Sequence, residues 1–337
     1  MSKHQNSHVN YSTSFKDALR IGKTMLTTQR VDRFPRDALP VQAITAQSLR
    51  EDNLLHPEQD TLVYRLGHSS LLLRLQGEYV LLDPVLSLRA SPSQLFGPKR
   101  YHDAPISIAD LPPLKTIVIS HDHYDHLDKA AIKALDNKVE TYVMPTGVGN
   151  HLRRWGISDD KITELAWWQG VQIGNTSFSA TPAQHFSGRG ITDKDKTLWA
   201  SFVIQGLHDR LFFSGDSGYF PGFKEIGQEF GGFDLTMIET GAYNDMWQAI
   251  HMLPEESVQA HIDVKGAIMM PIHNSTFDLA LHPWYEPLER AHMVAQSQEV
   301  KLATPIIGAA FNINSQPTQQ AWWREYASIA NLQPSMV

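Results

Sequence analysis

Cysteine is absent from all 337 residues. That excludes a disulfide framework and leaves a metal site only imidazole and carboxylate side chains for ligands. It also suits a reducing compartment, and a cytoplasmic protein is expected. No run approaches the ~18 uninterrupted apolar residues of a membrane-crossing helix. The opening MSKHQNSHVNYSTS is polar and lacks the apolar segment of a signal peptide. Positive charge is in deficit: 29 Lys and Arg face 36 Asp and Glu, a formal charge of −7. A domain that coats nucleic acid usually carries the opposite balance, so no nucleic-acid partner is expected. Neither a G-x-x-x-x-G-K-[ST] phosphate loop nor a G-x-S-x-G nucleophile elbow occurs.

What is present is material for a large packed core, with 42% hydrophobic residues. Residues 1–55 read as an amino-terminal arm. In SFKDALRIGKTML, Phe15, Ala18, Leu19, Met25 and Leu26 recur at helical spacing opposite Lys16, Arg20 and Lys23, and Ser14 with Asp17 fits a capping box. Such a helix either docks on the domain or rests on an anionic surface. RFPRDALPVQ then reads as an extended connection. Residues 56–315 form the main domain and 316–337 a helical tail. Within the domain, TLVYRLGHSSLLLRLQG and EYVLLDPVL read as paired strands turning at Gly77. KTIVIS, VETYVMP, FDLTMIET and GAIMMPIHN read as strands, and WASFVIQGLHDRLFFSGD as a hairpin. KAAIKAL and PEESVQAHIDVK read as helices. Runs of strands with helices interspersed predict an α/β fold of two helix-covered sheets.

At the end of the strand TIVIS stands HDHYDH, three histidines and two aspartates in six positions. Side chains leaving a strand end and a tight loop can converge on one point, and neutral imidazole with carboxylate suits zinc and similar ions. His121 and His123 can reach one ion; Asp125 and His126 can reach a second. The alternative is a solvated polar loop, and matching residues elsewhere weigh against it. SATPAQH ends in His185, RLFFSGD in Asp216 and AIMMPIH in His273, each directly after an apolar run. Functional groups of α/β folds collect at such strand ends. Together the seven side chains suffice for two ions sharing a carboxylate. His68, in LGHSSL, reads as a supporting or structural residue. Ser217 lies in SGDSG, a string shared with serine proteases, but the disulfide-rich all-β setting is missing. Lys99, Arg100 and Arg189 read as solvated surface positions.

H-x-H-x-D-H with distant His, Asp and His resembles the metallo-β-lactamase superfamily. SLRASPSQLFGPKR, TPAQHF, LFFSGDSGYFPGFKEIG, FDLTMIETGAY and HMLPEESVQAHID extend the likeness, over residues ~60–290, to the N-acyl-phosphatidylethanolamine-hydrolysing phospholipases D. The resemblance implies an αββα sandwich with two zinc ions per chain at one edge. One ion would take His121, His123 and His185, the other Asp125, His126 and His273, with Asp216 between them. It further implies Tyr124 and His251 as contacts to the substrate head, and Asp83, in LLDP, as a hydrogen-bond partner of the histidine loop. IHNSTF after His273 departs from the family's Trp-Gly pair, which alters a neighbouring wall of the pocket.

The expected activity is hydrolysis of a phospholipid-like phosphodiester by a hydroxide bridging the two ions, with Asp125 and Asp216 as catalytic carboxylates. A lactonase or other small-molecule hydrolase of this fold is the alternative, and a non-catalytic metal-binding protein a second one. A lipid substrate implies peripheral contact with the inner face of the membrane, and the resemblance implies a homodimer.

Overall fold

The computed structural model describes residues 3–9, 11, 15–190, 192–317 and 320–327. Among the described residues thirteen strands form two mixed sheets. The first contains β1 (Leu62–Gly67), β2 (Ser70–Leu75), β3 (Glu78–Leu82), β4 (Leu114–Val118), β5 (Val139–Pro145), β6 (Ile162–Leu165) and, at its edge beside β1, β13 (Ala310–Asn312). The second contains β7 (Gly170–Ile173), β8 (Thr176–Thr181), β9 (Ser201–Gln205), β10 (Arg210–Phe213), β11 (Phe233–Glu239) and β12 (Gly266–Ile272). In each sheet an antiparallel meander meets a parallel set, at β3–β4 and at β10–β11.

Side-chain alternation explains the layering. Val63, Leu71, Leu73, Val80 and Leu82 point from the first sheet toward Phe178, Phe202, Ile204, Phe213 and Met237 of the second. Their neighbours Tyr64, Leu72, Leu81 and Ile117 point outward, under α3 (Lys129–Leu135), α4 (Gly149–Arg154) and α2 (Ala46–Leu55). On the far side, Val203, Phe212, Ile238 and Met269 lie under α5 (Gly222–Phe230), α6 (Pro254–Asp263) and α7 (Glu286–Ser297). The result is the αββα sandwich. Strands covered on both faces carry nearly continuous apolar runs, which is why β1 and β2 are buried throughout.

Some details differ from the sequence reading. The stretch 61–77 is two strands, because the chain reverses at His68 and Ser69. Helix α2 follows the connection that reads as extended, and Thr45 caps it through a capping box with Ser48. Of the tail, the described residues form one 3-10 turn, Trp322–Glu325, whose tryptophans pack against Trp284 and Leu288. Helix α1 (Phe15–Thr27) docks on the domain, with Ile21 and Met25 packing against Ala242, Trp247 and Ile250. Leu19, two positions from Ile21 and so on the other side of the helix, is 58% exposed. Ser14 and the side chain of Asp17, the proposed capping pair, lie outside the described residues, as do the side chains of Phe15, Ala18 and Leu26.

Candidate metal centre

Six strands deliver their carboxyl ends to one edge of the sandwich. Asp83 follows β3, His121 to His126 follow β4, His185 follows β8, Asp216 follows β10, Glu239 ends β11 and His273 follows β12. The histidine loop is kept short by Asp128, whose carboxylate caps α3 through Ala130 N and Ala131 N and also accepts from Ser87 N. Three inward-turned positions adopt a left-handed backbone: His68 at φ 53°, Asp83 at 37° and His273 at 63°. Non-glycine residues reach that region at a cost on the order of 1 kcal/mol each, and the surrounding bonds hold them there.

Two donor groups result. In the first, His121 Nε2 lies 2.9 Å from His123 Nδ1, and His185 Nε2 lies 3.2 Å from the same atom. In the second, His68, Asp125, His126 and His273 converge. Asp216 stands between them: Oδ2 is 3.8 Å from both His121 Nε2 and His185 Nε2 and 3.0 Å from His273 Nε2, while Oδ1 is 3.1 Å from His126 Nε2. His68 Nε2 meets Asp125 Oδ2 at 3.0 Å. The distal ring nitrogens are fixed from outside. His126 Nδ1 donates to Asp83 Oδ2 at 2.7 Å, His185 Nδ1 to the Ile250 carbonyl at 2.9 Å, and Ser120 Oγ is 2.9 Å from His121 Nδ1. Asp83 also accepts from Ser120 N at 2.7 Å and Ser120 Oγ at 2.5 Å.

The donors fit a metal by what they leave undone. His126 Nε2, His273 Nε2 and Asp216 Oδ1 are buried and make no hydrogen bond, although each lies close to an opposite partner. Their separations are short and their angles wrong for mutual hydrogen bonding, as expected of lone pairs aimed at a common point. The cluster is able to bind metal ions, with no sulfur among its donors. Electrostatics set the two donor groups apart. Burial pushes the imidazoles of His121 and His185 well below their ordinary range, so both are neutral donors. Burial opposes ionisation of Asp125 and Asp216, but the surrounding imidazoles outweigh it and hold both well below the usual carboxylate range. Burial likewise opposes protonation of His273, and Asp216 with Asp125 overcomes it, raising the group to about 10. His126 is raised in the same way.

A cavity of about 280 Å³ opens onto this cluster. His123, Asp125, Asp216, His251 and His273 form its polar side, and Phe186, Trp247, Ile250 and Leu279 belong to its apolar side. His251 thus joins the cluster, and its Nδ1 is hydrogen-bonded to Glu239 Oε1. Glu239 has no exposure, and its other oxygen accepts from Ser217 N at 3.2 Å. Burial lifts its carboxyl above the ordinary range even with His251 beside it. Sequence reasoning missed Glu239 because it closes the apolar run TMIE and resembles nothing but the end of a strand. Tyr124 lines a different cavity, of about 470 Å³, with Lys129, Lys133 and Arg154, and its hydroxyl donates to the Arg189 carbonyl at 2.8 Å. Arg100 corrects the expectation of a solvated position: it is 6% exposed and donates to the carbonyls of Val85, Leu66 and His102. Arg189 is also partly buried, bonded to the carbonyls of Asp122 and Leu127. Ser217 is fully buried, and its hydroxyl donates to the Gly218 carbonyl, which leaves it no role as a nucleophile.

A family model described as the beta-lactamase superfamily domain matches residues 78–274, more than half of the chain. The chain belongs to the metallo-β-lactamase superfamily. The match begins in β3 and ends one residue beyond His273, so it spans the donors from Asp83 onward and omits His68. An uncharacterized protein of Mycobacterium tuberculosis is 45% identical over 262 residues, 77% of this chain and 70% of that protein. N-acyl-phosphatidylethanolamine-hydrolyzing phospholipase D 1 of Caenorhabditis elegans is 34% identical over 275 residues, 77% of this chain and 75% of its own length. A solved metallo hydrolase of Ignicoccus hospitalis superposes with a TM-score of 0.57 at 15% identity, covering 75% of this chain and 98% of that one. At that identity the likeness carries the fold alone. Within the superfamily the chain is a metal-dependent hydrolase with distant homology to the phospholipase D enzymes.

Proposed function

We propose that the protein is a binuclear zinc hydrolase that cleaves a phosphodiester of an N-acyl-phosphatidylethanolamine or a similar phospholipid. The observation that carries the reading is Asp216, placed between two donor groups beside a cavity with one polar and one apolar side. The named activity of the C. elegans relative supports the substrate class. His121, His123 and His185 would hold one ion, and Asp125, His126 and His273 the other, with Asp216 shared. Nitrogen and carboxylate donors of this kind suit zinc. Bound divalent ions supply a water-derived nucleophile near neutral pH and neutralise charge on phosphoryl oxygens.

The chain's own residues do the remaining work. Asp83, Ser120 and the Ile250 carbonyl hold three rings so that the opposite nitrogens face the centre. Glu239 keeps the proton of His251 on Nδ1 and orients the ring. His251 then presents the Nε2 lone pair to the cavity, placed to take the proton of the attacking water and pass that same proton to the departing oxygen. Trp247, Ile250 and Phe186 exclude water from the side where a lipid chain would lie. Among the described residues no helix is long and apolar enough to cross a membrane. On this reading the protein reaches its lipid substrate by peripheral contact with a membrane surface.

The test is metal content together with hydrolysis of bis-(p-nitrophenyl) phosphate and an N-acyl-phosphatidylethanolamine, for wild type and Asp216→Asn. Two zinc ions per chain, with lipid cleavage that Asp216→Asn abolishes, is the expected result. Turnover of a lactone panel with neither diester cleaved would overturn the phosphodiesterase reading.

A further inference from the structure

The amino-terminal arm lies across the metal site and is fastened at both ends. At one end Asn6 grips the backbone of His185. Its Oδ1 accepts from His185 N at 3.0 Å and from Trp199 Nε1 at 3.0 Å, and its Nδ2 donates to the His185 carbonyl at 2.9 Å. Val9 N donates to Gln184 Oε1 one residue away, and His4 N to the Asp195 carbonyl at 2.8 Å. At the other end Arg30 Nη1 meets Asp278 Oδ1 at 2.6 Å and the Ala280 carbonyl at 2.9 Å, and Arg33 Nε meets Asp278 Oδ2 at 2.6 Å. Asp278 stands five positions after His273. The arm thus spans from the loop of one metal-site histidine to the loop of another.

Between the fastenings the arm contributes to the cavity itself. Tyr11 and Ile21 line the same 280 Å³ space as Asp125, Asp216 and His251. Tyr11 packs against Phe186, with ring centroids 5.8 Å apart, and Ile21 and Met25 belong to the cluster of Trp247, Ile250 and Ala280. Tyr11, Ile21 and Met25 face inward onto the site, so the wall opposite the polar donors is built partly from a segment more than a hundred residues distant in sequence.

We propose that this arm is the selective wall of the substrate cavity, and that Tyr11 and Ile21 set a preference for substrates bearing an apolar chain beside the scissile ester. The inference rests on the reading of the site as a phosphodiester hydrolase and adds the residues that choose the substrate. A chain laid against Tyr11, Ile21, Trp247 and Leu279 leaves water, whereas a bare phosphate gains nothing from that side. Asn6 and the Arg30–Asp278 pair act by holding the wall in place.

The experiment measures calorimetric binding of dodecyl phosphate and methyl phosphate to the metal-loaded protein, with kcat/KM for a long-chain phospholipid and for bis-(p-nitrophenyl) phosphate alongside. Wild type is expected to bind dodecyl phosphate at least tenfold more tightly than methyl phosphate. Ile21→Asp and Tyr11→Ala should each shrink that ratio on the order of tenfold, with the lipid-to-small-diester ratio of kcat/KM falling in parallel. Asn6→Ala should shrink it too, by freeing one fastening. Leu19→Ser, on the solvent side of α1, controls for damage to the helix and should change neither ratio. Equal binding of the two phosphates by wild type, or ratios that Ile21→Asp and Tyr11→Ala leave unmoved in folded protein, would overturn the proposal. Loss of diester turnover in wild type with the chain preference intact would instead overturn the reaction and leave the wall standing.

Discussion

Asp83→Asn isolates the support of the centre from its donors. Asp83 is fully buried, and its carboxylate accepts three hydrogen bonds. An asparagine keeps the size and one oxygen. With that oxygen toward Ser120 N, the new amide group faces Ser120 Oγ and His126 Nδ1. The hydroxyl can rotate and accept, but the imidazole can accept only by moving its proton from Nδ1 to Nε2. Nε2 is the atom 3.1 Å from Asp216, so the swap removes the lone pair that an ion needs. If the ring keeps its proton instead, two donors confront each other in the core. Either way about 1–3 kcal/mol of stability is lost, and affinity at the His126 group falls on the order of 10–100-fold. The group of His121, His123 and His185 should retain its affinity. Zinc titration against a chromophoric chelator resolves the two groups, and urea denaturation of metal-free protein gives the stability. Asp83→Asn with an unchanged titration in both steps would refute the claim that this carboxylate sets the tautomer of His126.

Glu239→Gln should lower kcat tenfold or more with zinc content unchanged, since Glu239 orients His251 and holds no ion in the proposed assignment; kcat within twofold of wild type, measured on the small diester, would remove the pair from the reaction. Gly218→Ala would drive a methyl group to 2.2 Å from the Ala249 carbonyl oxygen, so the segment leading to His251 must shift; a cost of about 1–3 kcal/mol in thermal or urea unfolding is expected, and an unchanged midpoint would contradict the packing. His261, away from the centre, is lowered by burial to about 4 from the ordinary 6.5. The unfolded chain therefore takes up that proton first, and stability present above pH 6.5 is lost as the pH falls toward 4, by up to about 3 kcal/mol. His261→Gln should flatten that part of the acid-unfolding curve, and curves parallel to wild type would count against it.

The part of the site legible in the sequence is the part that sits next to a visible strand end. HDHYDH follows TIVIS without interruption, and His185, Asp216 and His273 each punctuate an apolar run, so residue type and position agree. The sandwich was legible for the same reason, since doubly covered strands leave unbroken apolar runs. Glu239 stayed hidden because its meaning comes from His251, brought beside it by a loop. Asn6 stayed hidden because its partner backbone lies at His185, and no local pattern links the two. Arg100 misled because a GPKR string reads as solvated, while three backbone carbonyls folded around its guanidinium. Where chemistry depends on long-range closure, residue spacing carries no trace of it.

The donors come from both halves of the sandwich. His121 to His126 belong to the first sheet's loops, and His185, Asp216 and His273 to the second's. An ion held by both is a rivet through the seam, closing one end of the two-sheet core against solvent. Loading the site and fastening the fold then become a single event. A chelator should act on this protein as a local denaturant, and amide hydrogens at that edge should exchange faster well before the opposite edge notices.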